Sequence, residues 1–261
     1  MTDASPRSAR RVWAVASGDS SPQVLTCAAA APQVLLPVFY GPRFRGPDSP
    51  PDVIQPAPYA FTVWFPIFAS SIAYAVHQAR RTARTRTIWR AAGWPLAGAF
   101  ASAGIWAPLA RAGRFWSAQA ALVSFAALSE TARRRVARAE RRNELRAAEV
   151  AAVAPAAGML AAWGQAACGV NLAALLVDRT IVPAGRPADT VGAALLATLG
   201  AFGAAAVSAP EGSTVSSRFY AGTLLWAFVG VVIGQRRRSR SAAVTAAGAA
   251  LTMLAVAASR R

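Results

Sequence analysis

Few side chains in this sequence could perform acid–base or metal chemistry, and they lie far apart. Glu130 is an acid well inside an apolar stretch, and His77 is the single histidine. Arg133 and Arg134 follow Glu130 at i+3 and i+4, a spacing that favours an ion pair at a helix end. The two cysteines lie in separate apolar stretches without metal-ligand spacing. The sequence therefore predicts a protein that is not an enzyme, with no catalytic residue, no metal and no required cofactor.

Aromatic and amide side chains inside the apolar stretches indicate ligand binding instead. Trp64, Trp106 and Trp163 lie well within such stretches, away from the ends where tryptophan is enriched in membrane helices. Aromatic walls of this kind stack on flat apolar ligands, whereas the plain alternative is packing of each indole between small residues. Composition alone favours packing. Asn171, also within an apolar stretch, either orients a ligand or bonds across helices.

Composition indicates that membrane helices must position these residues. The chain has 261 residues, of which 55% are hydrophobic and 15% are charged, whereas a soluble domain carries about 25% charged residues. The net charge is +17, and all 28 basic residues are arginines that separate long apolar stretches. This pattern predicts anionic membrane lipids as partners. It disfavours nucleic acid, because a nucleic-acid-binding protein needs a polar fold that presents a basic face.

Eight apolar stretches, bounded by charges and prolines, approach the length of about 20 residues that a helix needs to cross a bilayer. Such stretches must be helical, because an open strand would leave backbone groups unpaired in lipid. The predicted fold is therefore an all-α polytopic transmembrane bundle. Its predicted spans are 22–40, 57–78, 92–110, 115–132, 150–177, 190–208, 218–234 and 242–258.

The arginine content of the loops predicts which side of the membrane each loop faces. Segments 79–90 and 133–149 are rich in arginine and two spans apart, so both are predicted to be cytoplasmic. Segments 41–56 and 178–189 are charge-balanced and are predicted to lie outside. A further arginine cluster at 236–240 lies three spans after 133–149, so parity places it outside, against the rule. Either a later stretch does not cross, or the earlier spans dominate the orientation.

Segment 133–149 also has charge pairs that favour a helix. Arg141 and Glu144 are three residues apart, as are Arg146 and Glu149, and this spacing supports a helix that continues the fourth span into the cytoplasm. Such a helix could dock a partner. A solvated helix that faces lipid headgroups is the favoured interpretation.

Segment 56–78 carries a family resemblance. It reads PAPYAFTVWFPIFASSIAYAVHQ, a proline-led entry followed by Tyr59, Phe61 and Trp64. This order resembles the second helix of the TspO/MBR family, the translocator proteins or tryptophan-rich sensory proteins. It is most similar to the pattern Pro-Ala-Gly-Tyr-Ala-Phe-x-Ile-Trp of the longer bacterial branch of that family.

Segment 163–171, which reads WGQAACGVN, carries a second resemblance. Trp163, Ala167 and Asn171 are spaced as in the family's fifth helix, and this spacing places all three on one helix face. Trp106 is similar to the tryptophan of an Asn-x-x-Trp pattern in the family's third helix.

The resemblance implies a membrane receptor or sensor that binds a hydrophobic planar ligand. Porphyrin, haem, sterol-like and isoprenoid-like molecules are the ligands it implies, with a porphyrin or haem entering as ligand and not as required cofactor. A transporter of porphyrins or lipids and an enzyme that modifies a tetrapyrrole remain alternatives. The implied ligand-binding residues are Tyr59, Phe61, Trp64, Trp106, Trp163 and Asn171.

The predicted organisation has three parts: a cytoplasmic tail at 1–21, a five-helix TspO-like core at 22–178 and additional transmembrane helices at 179–261. The predicted location is the bacterial cytoplasmic membrane. Small residues four apart, such as Gly230 and Gly234, permit close helix contact. They leave a homodimer open without predicting one.

Overall fold

The computed structural model describes residues 53–79 and 86–259, and these residues contain helices and no strand. The predicted all-α bundle is confirmed. Seven of the eight predicted spans fall on helices, and the stretch 22–40 lies outside the described residues. The helices are α1 (Trp64–Ala79), α2 (Trp94–Arg111), α3 (Phe115–Arg141), α4 (Ala147–Asp178), α5 (Arg186–Ser208), α6 (Val215–Gln235) and α7 (Arg240–Ala258).

Short helical segments lead into several of these helices. A 3₁₀ helix, Pro58–Val63, runs directly into α1, and a π-helical turn, Trp89–Gly93, runs directly into α2. A second 3₁₀ helix, Pro210–Ser213, joins α5 to α6. Both 3₁₀ helices begin with proline, which is tolerated there because the first amides of a helix have no intrahelical acceptor.

Five helical segments are long and apolar enough to cross a membrane, which is the composition of a multi-pass membrane protein. The five segments are Pro58–Ala79, Ala147–Asp178, Arg186–Ser208, Val215–Gln235 and Arg240–Ala258. α3 is different, because it continues nine residues beyond its predicted span and carries arginines out of the apolar region.

α4 is the central helix of the bundle, and it packs against α1, α3, α5 and α6. Its small residues allow close approach. A Cβ atom on Gly158 would lie 2.3 Å from the backbone oxygen of Ser216 in α6, and a Cβ atom on Gly164 would lie 3.0 Å from the ring of Phe125 in α3. Small residues have this role in membrane helices because apolar burial alone does not hold helices together in lipid.

The small residues Gly230 and Gly234 of α6 contact the chain segment that precedes α1. The Ala57 amide donates to the Gly230 carbonyl at 2.8 Å. A Cβ atom on Gly234 would lie 2.7 Å from the Ala57 nitrogen. The side-chain amide of Gln235 donates to the Gln55 carbonyl at 2.8 Å. These two glycines therefore pack against the segment of the same chain that precedes α1.

The α3–α4 end of the bundle is the end at which α3 stops and α4 begins. Two contacts place the α5–α6 connection at this end as well. The Arg141 guanidinium donates to the Pro210 carbonyl. The Glu140 carboxylate accepts a hydrogen bond of 2.7 Å from the Val215 amide, the first residue of α6.

The opposite end of the bundle holds the residues before α1, because Gln235 at the end of α6 binds Gln55. The α2–α3 and α4–α5 connections also meet there, since the Arg179 guanidinium lies 5.4 Å from the centroid of the Phe115 ring. α4, α5 and α6 therefore alternate in direction. The arginine cluster at 236–240 lies at the opposite end from 133–149, as parity predicts.

The helix predicted to run through 133–149 is interrupted. α3 continues to Arg141, as expected, but Asn143 adopts a positive φ of 53°. The amides of Asn143 and Glu144 donate to the carbonyls of Glu140 and Ala139, the bonding pattern that ends a helix in a Schellman motif. Arg141 and Glu144 are therefore not on one helix, and the expectation of an i,i+3 pair there was wrong.

The predicted boundary between a core ending at 178 and additional helices from 179 stays a prediction. α5 and α6, which follow that boundary, pack directly on α4, which precedes it. The tail at 1–21 and the start of the predicted core lie outside the described residues.

Candidate functional site

Phe61, Trp64, Phe68 and Trp163 form an aromatic cluster between the first 3₁₀ helix, α1 and α4. The centroids of Trp64 and Trp163 are 6.2 Å apart, and those of Phe61 and Trp163 are 5.6 Å apart, both in edge-to-face contact. Trp64 stacks on Phe68 at 5.2 Å. These separations lie within the range of favourable aromatic pairs. The structure thus brings together three of the residues predicted for the site.

Local structure explains how the aromatic cluster forms. Trp64 and Phe68 are four residues apart on α1, so they share one face of that helix. Phe61 is placed beside them because the 3₁₀ helix runs into α1 without interruption. Trp163 comes from the middle of α4 and meets them because α1 packs on α4.

The aromatic cluster has a buried side and an exposed side. Trp163 is 3% exposed, Trp64 is half-buried and Phe61 is 39% exposed. Because the two indoles meet edge to face, no gap separates them for a flat ligand to enter. A planar ligand would therefore stack against the exposed surfaces of Phe61 and Trp64, with Trp163 supporting them from behind.

Tyr59 lies against Trp226 of α6, with ring centroids 5.4 Å apart. The Trp226 indole nitrogen donates a 2.8 Å hydrogen bond to the Ala60 carbonyl, so this residue fastens the 3₁₀ helix to α6. Trp226 is absent from the sequence-predicted site residues. Its position well inside an apolar stretch is the same signal that singled out Trp64.

Asn171 and Trp106 come from α4 and α2 and are not part of the aromatic cluster as defined above. The Asn171 side-chain amide donates to the Ala167 carbonyl at 2.9 Å, one turn earlier on α4. Trp106 is half-buried on α2 and packs against the hydrophobic core. Their part in a ligand site stays a prediction.

Other polar side chains of the bundle bond between helices. The Tyr220 hydroxyl donates to the Gln165 side-chain oxygen at 2.7 Å, which joins α6 to α4. The Gln119 side-chain amide donates to the carbonyl oxygen of Cys168 at 3.2 Å, which joins α3 to α4. Such bonds are the usual means of satisfying amides in membrane helices.

Glu130 forms the ion pair that its spacing predicts. Its carboxylate accepts two 2.7 Å bonds from Arg133 and one 2.6 Å bond from Arg134. Arg133 is buried, donates to the Ser217 hydroxyl at 3.0 Å and lies 4.7 Å from the centroid of the Tyr220 ring. The carboxylate is thus engaged in holding α3 against α6.

His77 lies in the last turn of α1 and is half-buried. Among the described residues, no group of three or more His, Cys, Asp or Glu side chains is arranged to hold a metal ion.

Comparison with known proteins adds one finding. A model of the family described as TSPO-like protein matches residues 47–259. No curated protein and no solved structure matches the chain. The match begins before α1 and continues through α7, so it includes every described helix.

Proposed function

The chain belongs to the TSPO-like protein family, and we infer from this membership that it is a receptor or sensor for a hydrophobic planar ligand. The family resemblance read from the sequence is confirmed, and the chain is a multi-pass membrane protein. The ligand class that we propose comprises porphyrin, haem and sterol- or isoprenoid-like molecules. The proposed location is the bacterial cytoplasmic membrane.

The observation that carries the proposal is the contact of Trp64 with Trp163, two indoles from different helices. Phe61 adds an exposed aromatic surface beside them. A flat apolar ligand would be held there by stacking and by burial of its surface. Tyr59, whose ring is also partly exposed, extends the aromatic surface towards α6.

The test is a titration of the detergent-purified chain with protoporphyrin, followed by tryptophan quenching and by ligand absorbance. Trp64→Ala removes a half-buried ring from the proposed contact surface. Loss of about 1–3 kcal/mol of stacking and apolar contact corresponds to roughly five- to hundredfold weaker binding. Trp163→Ala should also weaken binding, but because Trp163 is buried its variant needs a check of helicity and monodispersity.

The matched control is Trp116→Ala, which truncates an exposed indole at the start of α3. This variant should bind protoporphyrin like the parent. A folded Trp64→Ala protein that also binds like the parent would contradict the proposal and leave the indoles as packing residues.

We propose that the ligand is bound without turnover and that no cofactor is required. The proposal is supported by Glu130, whose carboxylate is occupied by two arginines and so is poorly placed to transfer protons. Chromatography of protoporphyrin after incubation with the protein, in light and in darkness, tests this. A product that disappears in Glu130→Gln or His77→Ala would show that the chain is an enzyme.

A further inference from the structure

A cavity of about 290 Å³ lies among α3, α4, α5 and α6, apart from the aromatic cluster. Its cationic lining comes from α3, with Arg133, Arg134 and Arg138. Its apolar lining comes from α5 and the residue that follows it, with Phe202 and three alanines. Glu130 is also part of the lining. This volume is near the lower end of cavities that hold small molecules.

Two of the three guanidinium groups are available to a ligand. Each of the three guanidinium nitrogens of Arg133 already donates to Glu130 or Ser217. Arg134 uses only its Nε atom to bind Glu130, so its two terminal nitrogens make no hydrogen bond within the described part of the chain. The Arg138 side chain has no hydrogen-bond or ion-pair partner among the described residues. Glu130 thus positions Arg134, which reaches the cavity with unused donors.

The charge of the lining favours an anion. Three arginines and two glutamates line the cavity, which leaves a net charge of +1. Arg133 and Glu130 neutralise each other in their ion pair. Arg134 and Arg138 then outweigh Glu211, which is half-buried. Guanidinium groups bind phosphate and carboxylate oxygens in forked geometry, so these are the anions that the lining suits.

The outermost arginine of the lining and its aromatic ring lie at different depths of the bundle. Arg134 and Arg138 are two and six residues beyond the predicted end of their span at 132, and Arg138 is three residues before the end of α3, at headgroup level. Phe202 is six residues before the end of α5, or about 9 Å at 1.5 Å per residue. Its ring is more than half exposed within a helix apolar enough to cross a membrane. The lining therefore offers a cation near the surface, Arg138, and apolar area deeper in the bilayer.

We propose that this cavity binds an anionic phospholipid, with Arg134 and Arg138 contacting the headgroup phosphate and Phe202 contacting an acyl chain. This site is independent of the proposed receptor function, because its lining shares no residue with the aromatic cluster. The same guanidinium chemistry would accept inorganic phosphate. An acyl contact at Phe202 distinguishes the lipid from the free ion.

The experiment measures lipid binding to the detergent-purified full chain by native mass spectrometry. The probes are phosphatidylglycerol, which is anionic, and phosphatidylcholine, which has no net charge. The parent should bind phosphatidylglycerol more tightly. Arg134→Gln and Arg138→Gln should each weaken that binding about tenfold, because each removes a charge-assisted hydrogen bond.

The matched control is Arg135→Gln, an exposed arginine on the same helix that does not line the cavity. It should change phosphatidylglycerol binding by less than about twofold, as expected for an exposed charge remote from the contact. Equal losses in all three variants would show a diffuse basic surface and overturn the site. Equal binding of the two lipids by the parent would also overturn it.

A second arm separates lipid from free phosphate. Phe202→Ala should weaken phosphatidylglycerol binding, because it removes the apolar contact, and it should leave protein helicity unchanged. If Phe202→Ala has no effect and inorganic phosphate displaces the lipid at millimolar concentration, the cavity is a site for the free ion and the lipid proposal is wrong.

Discussion

Replacement of Arg133 by methionine removes the buried cation that joins α3 to α6. Methionine keeps a long unbranched side chain, so the change is mainly one of charge and hydrogen bonding. The variant loses two 2.7 Å bonds to Glu130 and a 3.0 Å bond to the Ser217 hydroxyl. It also loses the guanidinium from the face of the Tyr220 ring. Glu130 then keeps only its bond to Arg134.

The free energy of unfolding should fall by about 3 kcal/mol. Removal of one partner from a buried ion pair costs about 3–5 kcal/mol, because the other charge is left without compensation. The lower end of that range applies here, since the carboxylate retains Arg134 as a partner. In the double variant Arg133→Met with Glu130→Gln, no carboxylate is left uncompensated. That variant should therefore be more stable than Arg133→Met alone.

The assay is denaturation of the purified chain in mixed detergent micelles with increasing sodium dodecyl sulfate, followed by tryptophan fluorescence. Arg135→Met is the control, because Arg135 is exposed on the same helix, and it should alter the unfolding free energy by less than about 0.5 kcal/mol. If Arg133→Met is no less stable than Arg135→Met, the ion pair does not hold these helices together. If the loss of stability in the double variant equals the sum of the losses in Arg133→Met and Glu130→Gln alone, Arg133 and Glu130 are not energetically coupled.

Two further predictions concern helix packing and topology. Gly158→Ala should lower the unfolding free energy by about 1–3 kcal/mol in the same denaturation assay, because its Cβ would meet the Ser216 carbonyl. Gly222→Ala is the control and should not lower it, because its Cβ would meet no atom within 4 Å. Equal losses in the two variants would contradict this account of the α4–α6 contact. In a protein whose native cysteines are replaced, a cysteine at Asn143 should be labelled only from the cytoplasm and one at Arg237 only from outside. The measurement uses an impermeant maleimide on intact and on opened cells. Labelling of both positions from the same side would contradict the alternating topology.

Local spacing made part of this structure predictable. The pairing of Glu130 with Arg133 and Arg134 follows from positions three and four residues apart on one helix, where side chains must be neighbours. The apolar stretches predicted the helices for a similar reason, since lipid allows the backbone few other conformations. In both cases the interaction lies within a single segment.

Contacts between distant segments could not be predicted from the sequence. The bond from Trp226 to the Ala60 carbonyl joins residues 166 positions apart, and no spacing rule identifies such partners. The same is true of Arg133 and Ser217, which are 84 positions apart. The interruption at Asn143 was missed for another reason. The charge pattern favoured a helix, but an asparagine that adopts a positive φ can end one.

The same limits apply to the sites. The resemblance named Phe61, Trp64 and Trp163 together, and the structure places their rings in contact. The polar cavity had no signal in the sequence, because four helices form it. Its arginines belong to segment 133–149, which the sequence predicted to be a solvated helix facing lipid headgroups, without a cavity.

The positions of the arginine clusters bear on how the chain is oriented in its membrane. Segments 79–90 and 133–149, both predicted to be cytoplasmic, contain five and seven arginines, or 12 together. The segments predicted on the other side have two in 41–56, two in 111–114, two in 178–189 and four in 236–240, or ten together. Since the orientation rule weighs the number of arginines near the span ends and not the net charge, the excess of two still favours a cytoplasmic α3–α4 end. The cluster at 236–240 reduces this bias but does not reverse it. With that orientation Arg134 and Arg138 would lie at the cytoplasmic leaflet, whose anionic headgroups are the partners that we propose for the cavity.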